Sequence, residues 1–365
     1  MFFVFLTLGR IFNLKNIPYK KYFLIFCGGL VIGIPYFISL SQSGKLPTFA
    51  ETLARLGRIH THFPSGLVSV FIIGLVTLAM LVLYRKKIIE INSINIFLFS
   101  GLLSGIIVMN QHLITGLNME FSSHYLMGSV FWSAFVLIYL IHIWLRDGPE
   151  TIKKIFMIIT GVIVSLMAFT GFYKLVLTET NHGQYDVYIQ NYAPVFDWLN
   201  QNAKLDDVVL ADDEISGLIP IYTSQNVFYN FYSILFFLPN SEVEKRFIII
   251  HYFDNFRPQY VQENERLIFG NFYIDQYNHN LSKNKIRRLL GIKETSYTML
   301  PETEINRIVD KARIMQKNDF EKEIKTYRID YLVWDSIKNP DWKINRFKFL
   351  KQVYSTNGII IYKVN

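Results

Sequence analysis

The run from Ile155 to Leu177, IFMIITGVIVSLMAFTGFYKLVL, carries no charge before Lys174, and it exceeds the ~20 apolar residues that a helix needs to cross a bilayer. Such a segment has few alternatives, because in lipid every backbone amide and carbonyl must be satisfied within the segment, as a helix does and a loop does not. Four other runs approach the same length: Tyr22–Leu40, Gly66–Tyr84, Ile94–Gln111 and Tyr125–Leu145. Met1–Leu8 is apolar but too short to span, and the expectation is that it continues a helix begun upstream. The expected fold is an α-helical polytopic membrane region of about five spans over residues 1–177, followed by a mixed α/β domain over 178–365.

The loops between these runs set the orientation. One set holds nine basic residues: Lys15, Lys20, Lys21, Arg85, Lys86, Lys87, Arg146, Lys153 and Lys154. The alternate loops, 41–65 and 112–124, hold only Lys45, Arg55 and Arg58. Positive residues stay on the cytoplasmic side of short loops. The expected location is therefore the cell membrane, multi-pass, with the C-terminal domain extracytoplasmic. This distribution also explains the net charge of +8 without nucleic acid, since the cations form no single interleaved patch. Cys27 is the only cysteine, so no intrachain disulfide can form. No P-loop, GxGxxG, GxSxG or CxxC occurs in the C-terminal half, which gives nucleotide, serine-nucleophile and redox activities no support.

The two outer loops hold the first candidates. Ser41–Ser65 contains ETLARLGRIHTHFPSG, where Glu51, Arg55 and Arg58 have helical spacing. One reading is an amphipathic stretch in the interface whose arginines meet membrane lipid phosphates. The sharper reading has Arg55 and Arg58 holding a diphosphate headgroup, because a guanidinium fork matches phosphate oxygens. The second loop reads NQHLITGLNMEFSSHY, Asn110–Tyr125. Its Gln111 and Thr115 either cap helix ends or meet a substrate at the bundle mouth, and Glu120 is a candidate general base. His60, His62, His112 and His124 share this face. They lack a ligand spacing such as HExxH, so no cofactor is evident and a divalent metal has no support.

Beyond Thr178 the pattern changes to short elements. Tyr188–Asn202 reads as a helix, Asp207–Ala211 as a buried strand, ISGLIPIYT as a helix and Asn226–Tyr229 as the next strand, a β-α-β unit with parallel pairing. Asp212, Asp213 and Glu214 open the intervening helix. Acids there cap free amides, yet the carboxyl ends of strands are also where α/β sheets bind ligands. Ser241-Glu242-Val243-Glu244 reads as a capping box ahead of the helix EKRFIIIHYFDNF, in which His251 reads as packed or at the surface. Phe256–Asn280 has no clear period, and Ser282–Leu290 and Pro301–Lys317 read as helices. Arg328–Trp334 reads as a strand, and Phe349–Val364, turning at Asn357-Gly358, as a β-hairpin.

The segments ARLGRIHTHFP and NQHLITG followed by HY, with YAPVFDWLNQN, VVLADDEISGLIPIYT and YRIDYLVWD in the tail, resemble the C-terminal portion of GT-C-type integral membrane glycosyltransferases and uncharacterised bacterial multi-span proteins related to them. The resemblance implies transfer of a sugar from a polyprenyl-phosphate carrier to an envelope glycan or protein acceptor on the outer face. It makes Glu51, Glu120 and His124 the catalytic candidates, and Arg55, Arg58, Gln111, Thr115, Asp212 and Asp213 the substrate-binding ones. The usual acid of such enzymes lies in an early outer loop, and Glu51 is the only acid in the first outer loop here. The expectation is thus a piece of a longer enzyme that lacks its N-terminal catalytic loop. The alternative is a non-catalytic, membrane-anchored envelope module that binds glycan or a partner protein. Transport is a weaker third, since charge within the spans is scarce. If the orientation holds, a tag placed after Asn365 reacts with an impermeant reagent on intact cells; a tag that reacts only after the bilayer is opened reverses the placement.

Overall fold

The structure, a computed structural model, describes residues 2–12, 19–58, 60–64, 66–118, 122–146 and 149–365. The chain divides into two compact units, Met1–Lys45 with Arg58–Lys174, and Leu46–Gly57 with Leu175–Asn365.

In the first unit four helices are long and apolar enough to cross a membrane: Tyr19–Ser43, Ser93–Thr115, Tyr125–Arg146 and Glu150–Thr178. The run expected as the second span forms a shorter apolar helix, Ser69–Arg85. It packs with the helices Ser93–Met109 and Ser122–Arg146 around Ile73, Leu102, Val136 and Leu140. Small residues permit the close approach: a side chain at Gly101 would strike Trp132, and one at Gly105 would strike Ser129. The Trp132 indole then donates to the Leu98 carbonyl at 3.0 Å. The apolar windows of Tyr19–Ser43 and Glu150–Thr178 bury none of their residues within the protein. Helices apolar on all sides and covered by nothing are at home in lipid, which has no water to be ordered around them.

The second unit is built on a five-stranded mixed sheet of order β2-β1-β3-β5-β4, with β1 Val208–Leu210, β2 Asn226–Val227, β3 Tyr331–Asp335, β4 Leu350–Thr356 and β5 Ile359–Val364. β1 pairs in parallel with β2 and β3, while β3-β5 and β5-β4 are antiparallel. Every residue of β3 is buried, as expected of a strand covered on both faces. Alternation divides the side chains. Val209 and Val333 meet the helices Ala193–Asn202 and Asp213–Tyr222 through Val195, Leu199, Ile215 and Ile219. Leu210, Leu332 and Trp334 belong to the opposite core, with Phe247, Ile250 and Ile308 from the helices Asn240–Ile250 and Glu302–Gln316. Asn357 and Gly358 turn the β4-β5 hairpin with positive φ of 47° and 80°, as a two-residue hairpin loop requires.

Two local readings change. The helix Asn240–Ile250 starts two residues earlier than a Ser241 cap requires, with Pro239 at its N-cap. Glu244 therefore faces inward, where it accepts two hydrogen bonds from Arg307 at 2.9 and 2.7 Å and one from Lys311 at 2.9 Å. The aperiodic Phe256–Asn280 contains the helices Pro258–Glu263 and Glu265–Phe269 and the start of Phe272–Leu289, of which Ser282–Leu290 is the far end.

The loop 41–65 supplies an element of this second unit. Helix Phe49–Arg55 lies against the segment 231–240. The Arg55 side chain, 2% exposed, donates from Nε to the Ile234 carbonyl at 3.0 Å, from Nη2 to those of Phe236 and Leu238 at 2.9 and 2.8 Å, and from Nη1 to Asn240 Oδ1. Glu51 accepts the Asn240 amide, and the Asn271 amide donates to the Arg55 carbonyl at 2.7 Å. Gly57 and Gly270 both have positive φ, and a Cβ on either would collide, with Asp275 and with the Arg55 backbone respectively. Loop 46–57 and the chain from Leu175 onward thus belong to one compact unit. Arg55→Ala strands three carbonyls in a buried site, so it should destabilise this unit by about 3 kcal/mol, read as a lowered Tm of the detergent-solubilised chain.

Candidate functional site

In an α/β sheet the chain leaves the carboxyl ends of two adjacent parallel strands towards opposite sides at the topological switch point, and the crevice this opens is where ligands bind. Here the order β2-β1-β3 puts that point between β1 and β3. Both strands end in the same way. β1 runs into Ala211, Asp212, Asp213 and Glu214; β3 ends at Asp335 and runs into Ser336, Ile337, Lys338 and Asn339.

The side chains at the crevice close upon one another. Asp212, 7% exposed, is the N-cap of the helix Asp213–Tyr222, accepting the Ile215 amide at 3.0 Å on Oδ1, while Oδ2 accepts from Asn339 Nδ2 at 3.0 Å. Burial holds its carboxyl above the usual carboxylate range. Asp335 Oδ1 accepts the Ile337 and Lys338 amides, each at 3.0 Å, which turns the chain so that Lys338 Nζ reaches Glu214 at 2.8 Å. Burial alone would lower the Lys338 ammonium, but Glu214 and Asp212 more than reverse it. The Tyr192 hydroxyl lies 3.3 Å from both Glu214 Oε2 and Asp335 Oδ2, and Tyr188 stands beside it at 2.8 Å. Burial raises the Tyr192 phenol well above its ordinary value, so it remains a donor.

Asp213 faces a second group on the same edge. Its Oδ2 lies 3.3 Å from His251 Nε2, within ion-pair range but off the line of a hydrogen bond, and its Oδ1 is buried with no hydrogen-bond partner. On the other side of the ring, His251 Nδ1 is 2.8 Å from Asp254 Oδ2, which also accepts from the Tyr260 hydroxyl at 2.6 Å, while Trp342 donates to Asp254 Oδ1 at 3.2 Å. Burial would lower the imidazole, but the two carboxylates raise it to about 9, and the Asp254 carboxyl, pulled up by burial, ends lower through His251 and Tyr260. A cationic imidazole between two acids fixes both of them.

The other candidates divide. Glu51, a catalytic candidate, and Arg55, expected at a headgroup, are engaged inside the second unit, Arg55 with its guanidinium enclosed by carbonyls. In the first unit the loops 58–66 and 110–118 meet: His60 and Leu117 form an antiparallel bridge, the Thr61 amide donates to the Gly116 carbonyl at 2.8 Å, and His112 Nε2 sits 2.8 Å from the Phe63 carbonyl. His62 Nδ1 is 3.0 Å from the Leu113 carbonyl. Gln111 and Thr115 bond to each other at 2.8 Å and to the Leu117 carbonyl, closing their own turn. Arg58 is half-buried and has no hydrogen bond or ion pair among the described residues. Glu120 lies outside the described residues, as does the side chain of His124. No group of three or more His, Cys, Asp or Glu among the described residues is arranged to hold a metal.

Sequence reasoning reached Asp212, Asp213 and Glu214 but not Asp335, Lys338, Asn339 or Asp254. A signal for the first existed: VVLAD and YLVWD are both apolar strands closed by an aspartate. Comparison with protein-family models, curated proteins and solved structures finds no match to this chain. Because the folded pKa of His251 exceeds its unfolded value of 6.5, its contribution to stability is complete below that pH and is lost as pH rises through about 9. Thermal unfolding across this range should show the decline in the wild type and a flatter profile in His251→Gln.

Proposed function

We propose that this is a multi-pass membrane protein whose C-terminal α/β domain faces the outside of the cell and binds a hydroxyl-rich envelope glycan at the β1/β3 crevice. The observation that carries this reading is the crevice itself: Glu214 and Lys338, joined across it at 2.8 Å, form an acceptor and donor pair at the switch point. A sugar's vicinal hydroxyls can replace that bridge by donating to the carboxylate and accepting from the ammonium. Tyr188, 40% exposed, adds an aromatic surface beside them, and ring faces suit the apolar side of a sugar. The outward placement is supported by the asymmetry of Lys and Arg between alternate loops.

A binding role is favoured over transfer because Arg55 and Glu51, two of the groups that a carrier-phosphate site would use, are built into the domain. One observation favours the glycosyltransferase reading: the paired outer loops bring the Arg58 and Gln111 segments together, with Arg58 unpaired among the described residues. The full chain in lipid nanodiscs, applied to an array of immobilised oligosaccharides, separates the two. Binding by the wild type that falls at least about tenfold, some 1.4 kcal/mol, in both Glu214→Gln and Lys338→Ala supports the proposal. No binding to any glycan, or binding that both variants retain, overturns it. Release of polyprenyl phosphate from a polyprenyl-phosphate sugar in the presence of an acceptor glycan, abolished by Arg58→Ala, would establish the transferase instead.

A further inference from the structure

The segment that follows β2 departs from the usual sorting of side chains. From Phe231 to Phe237 it reads FYSILFF, and five of its large side chains are exposed: Phe231 42%, Tyr232 59%, Leu235 44%, Phe236 60% and Phe237 43%. Phe49 stacks on Phe237 with ring centroids 6.0 Å apart, and Leu46, 43% exposed, lies one turn before it, its carbonyl accepting the Phe49 amide. Contiguous exposed apolar surface of this kind marks an interaction site.

The cause is the docked helix. Arg55 Nε and Nη2 take the carbonyls of Ile234, Phe236 and Leu238, Thr52 Oγ1 donates to that of Phe236 at 3.2 Å and Thr48 Oγ1 to that of Phe237 at 2.9 Å. Phe231–Leu235 itself is a 3₁₀ turn closed by Asn230 and Ser233, which buries Ile234; with carbonyls within 234–238 taken by helix Phe49–Arg55, the remaining rings stay outside the core.

What covers the rings follows from covalent reach. The apolar helix Tyr19–Ser43 ends three residues before Leu46, so the patch begins within about 11 Å of that helix end. Nothing charged lies in 231–237, and Phe, Tyr and Leu are side chains that settle at the level of lipid headgroups and upper acyl chains. We propose that Phe231–Phe237, with Leu46, is a membrane-interfacial anchor that inserts into the outer part of the lipid leaflet beside the end of helix Tyr19–Ser43. This rests on that helix spanning the bilayer and is independent of glycan binding at Glu214 and Lys338. The segment follows β2 at the carboxyl edge of the parallel strands, the edge that also carries Asp213, so an anchored patch would keep that edge at the membrane surface.

The test uses the full chain with Cys27→Ser, reconstituted in phosphatidylcholine and phosphatidylglycerol liposomes, and an environment-sensitive fluorophore on Phe236→Cys. Tyr232→Cys is an independent second position on the patch. Leu205→Cys, at an exposed side chain before β1 on the amino edge of the sheet (67% exposed), is the aqueous reference. Blue-shifted emission at 236 and 232, quenched several-fold more than at 205 by lipids carrying a nitroxide high on the acyl chain, is the expected result. Emission at both positions matching that at 205 overturns the proposal. So does shielding from aqueous iodide without quenching by the lipid nitroxide, which would mean that a protein surface covers the patch.

Discussion

The buried guanidinium of Arg55 is the interaction on which the second unit depends. A full charge with almost no solvent is costly unless it is surrounded by acceptors, and here three carbonyls and an amide oxygen surround it. Those acceptors all come from 234–240, nearly two hundred positions later in the sequence. Burial pulls the guanidinium below its ordinary value, and an arginine starts so high that the charge persists. The consequence is architectural: a short helix between two apolar segments becomes part of the C-terminal domain. The chain therefore passes between the two units at both ends of 46–57 and again at Leu175.

From that helix the polar organisation of the domain can be followed outward. Glu51 satisfies the amide that starts the helix Asn240–Ile250, and the far end of that helix delivers His251 between Asp213 and Asp254. Asp213 opens the helix after β1, so the histidine connects the last turn of one helix to the first turn of another. Both contacts suit the helix dipoles, an acid at an N-terminus and a cation at a C-terminus. The switch point then places Lys338 and Asn339 of the β3 loop against Glu214 and Asp212 of the β1 loop. The crevice is thus a result of strand order, and the side chains around it are positioned by backbone caps rather than by chance rotamers.

Much of this was legible in the sequence because it rests on local signals. Apolar length marked the membrane helices, alternation marked β3, and Asn357-Gly358 marked the hairpin. The β-α-β unit around Asp212 followed from a buried strand, an acidic cap and a second strand. What was not legible depends on contacts between distant positions. Arg55 has the same composition and spacing whether it meets lipid phosphate or the carbonyl of Phe236, and only the fold decides. Glu244 read as half of a local cap, yet its partners are Arg307 and Lys311 on another helix. His251 read as a packed or surface residue, and it is packed; of its two acids Asp254 is a local neighbour three positions on, while Asp213 comes from the distant helix after β1.

The docking of helix Phe49–Arg55 is tested most directly by hydrogen exchange at two backbone amides of the full-length chain, Asn240, which donates to Glu51, and Asn271, which donates to the Arg55 carbonyl. Both should exchange slowly, and both should become fast together when Arg55 is replaced. Rapid exchange at both amides in the wild type would contradict the account, because it would mean that loop 46–57 is not a part of the C-terminal domain.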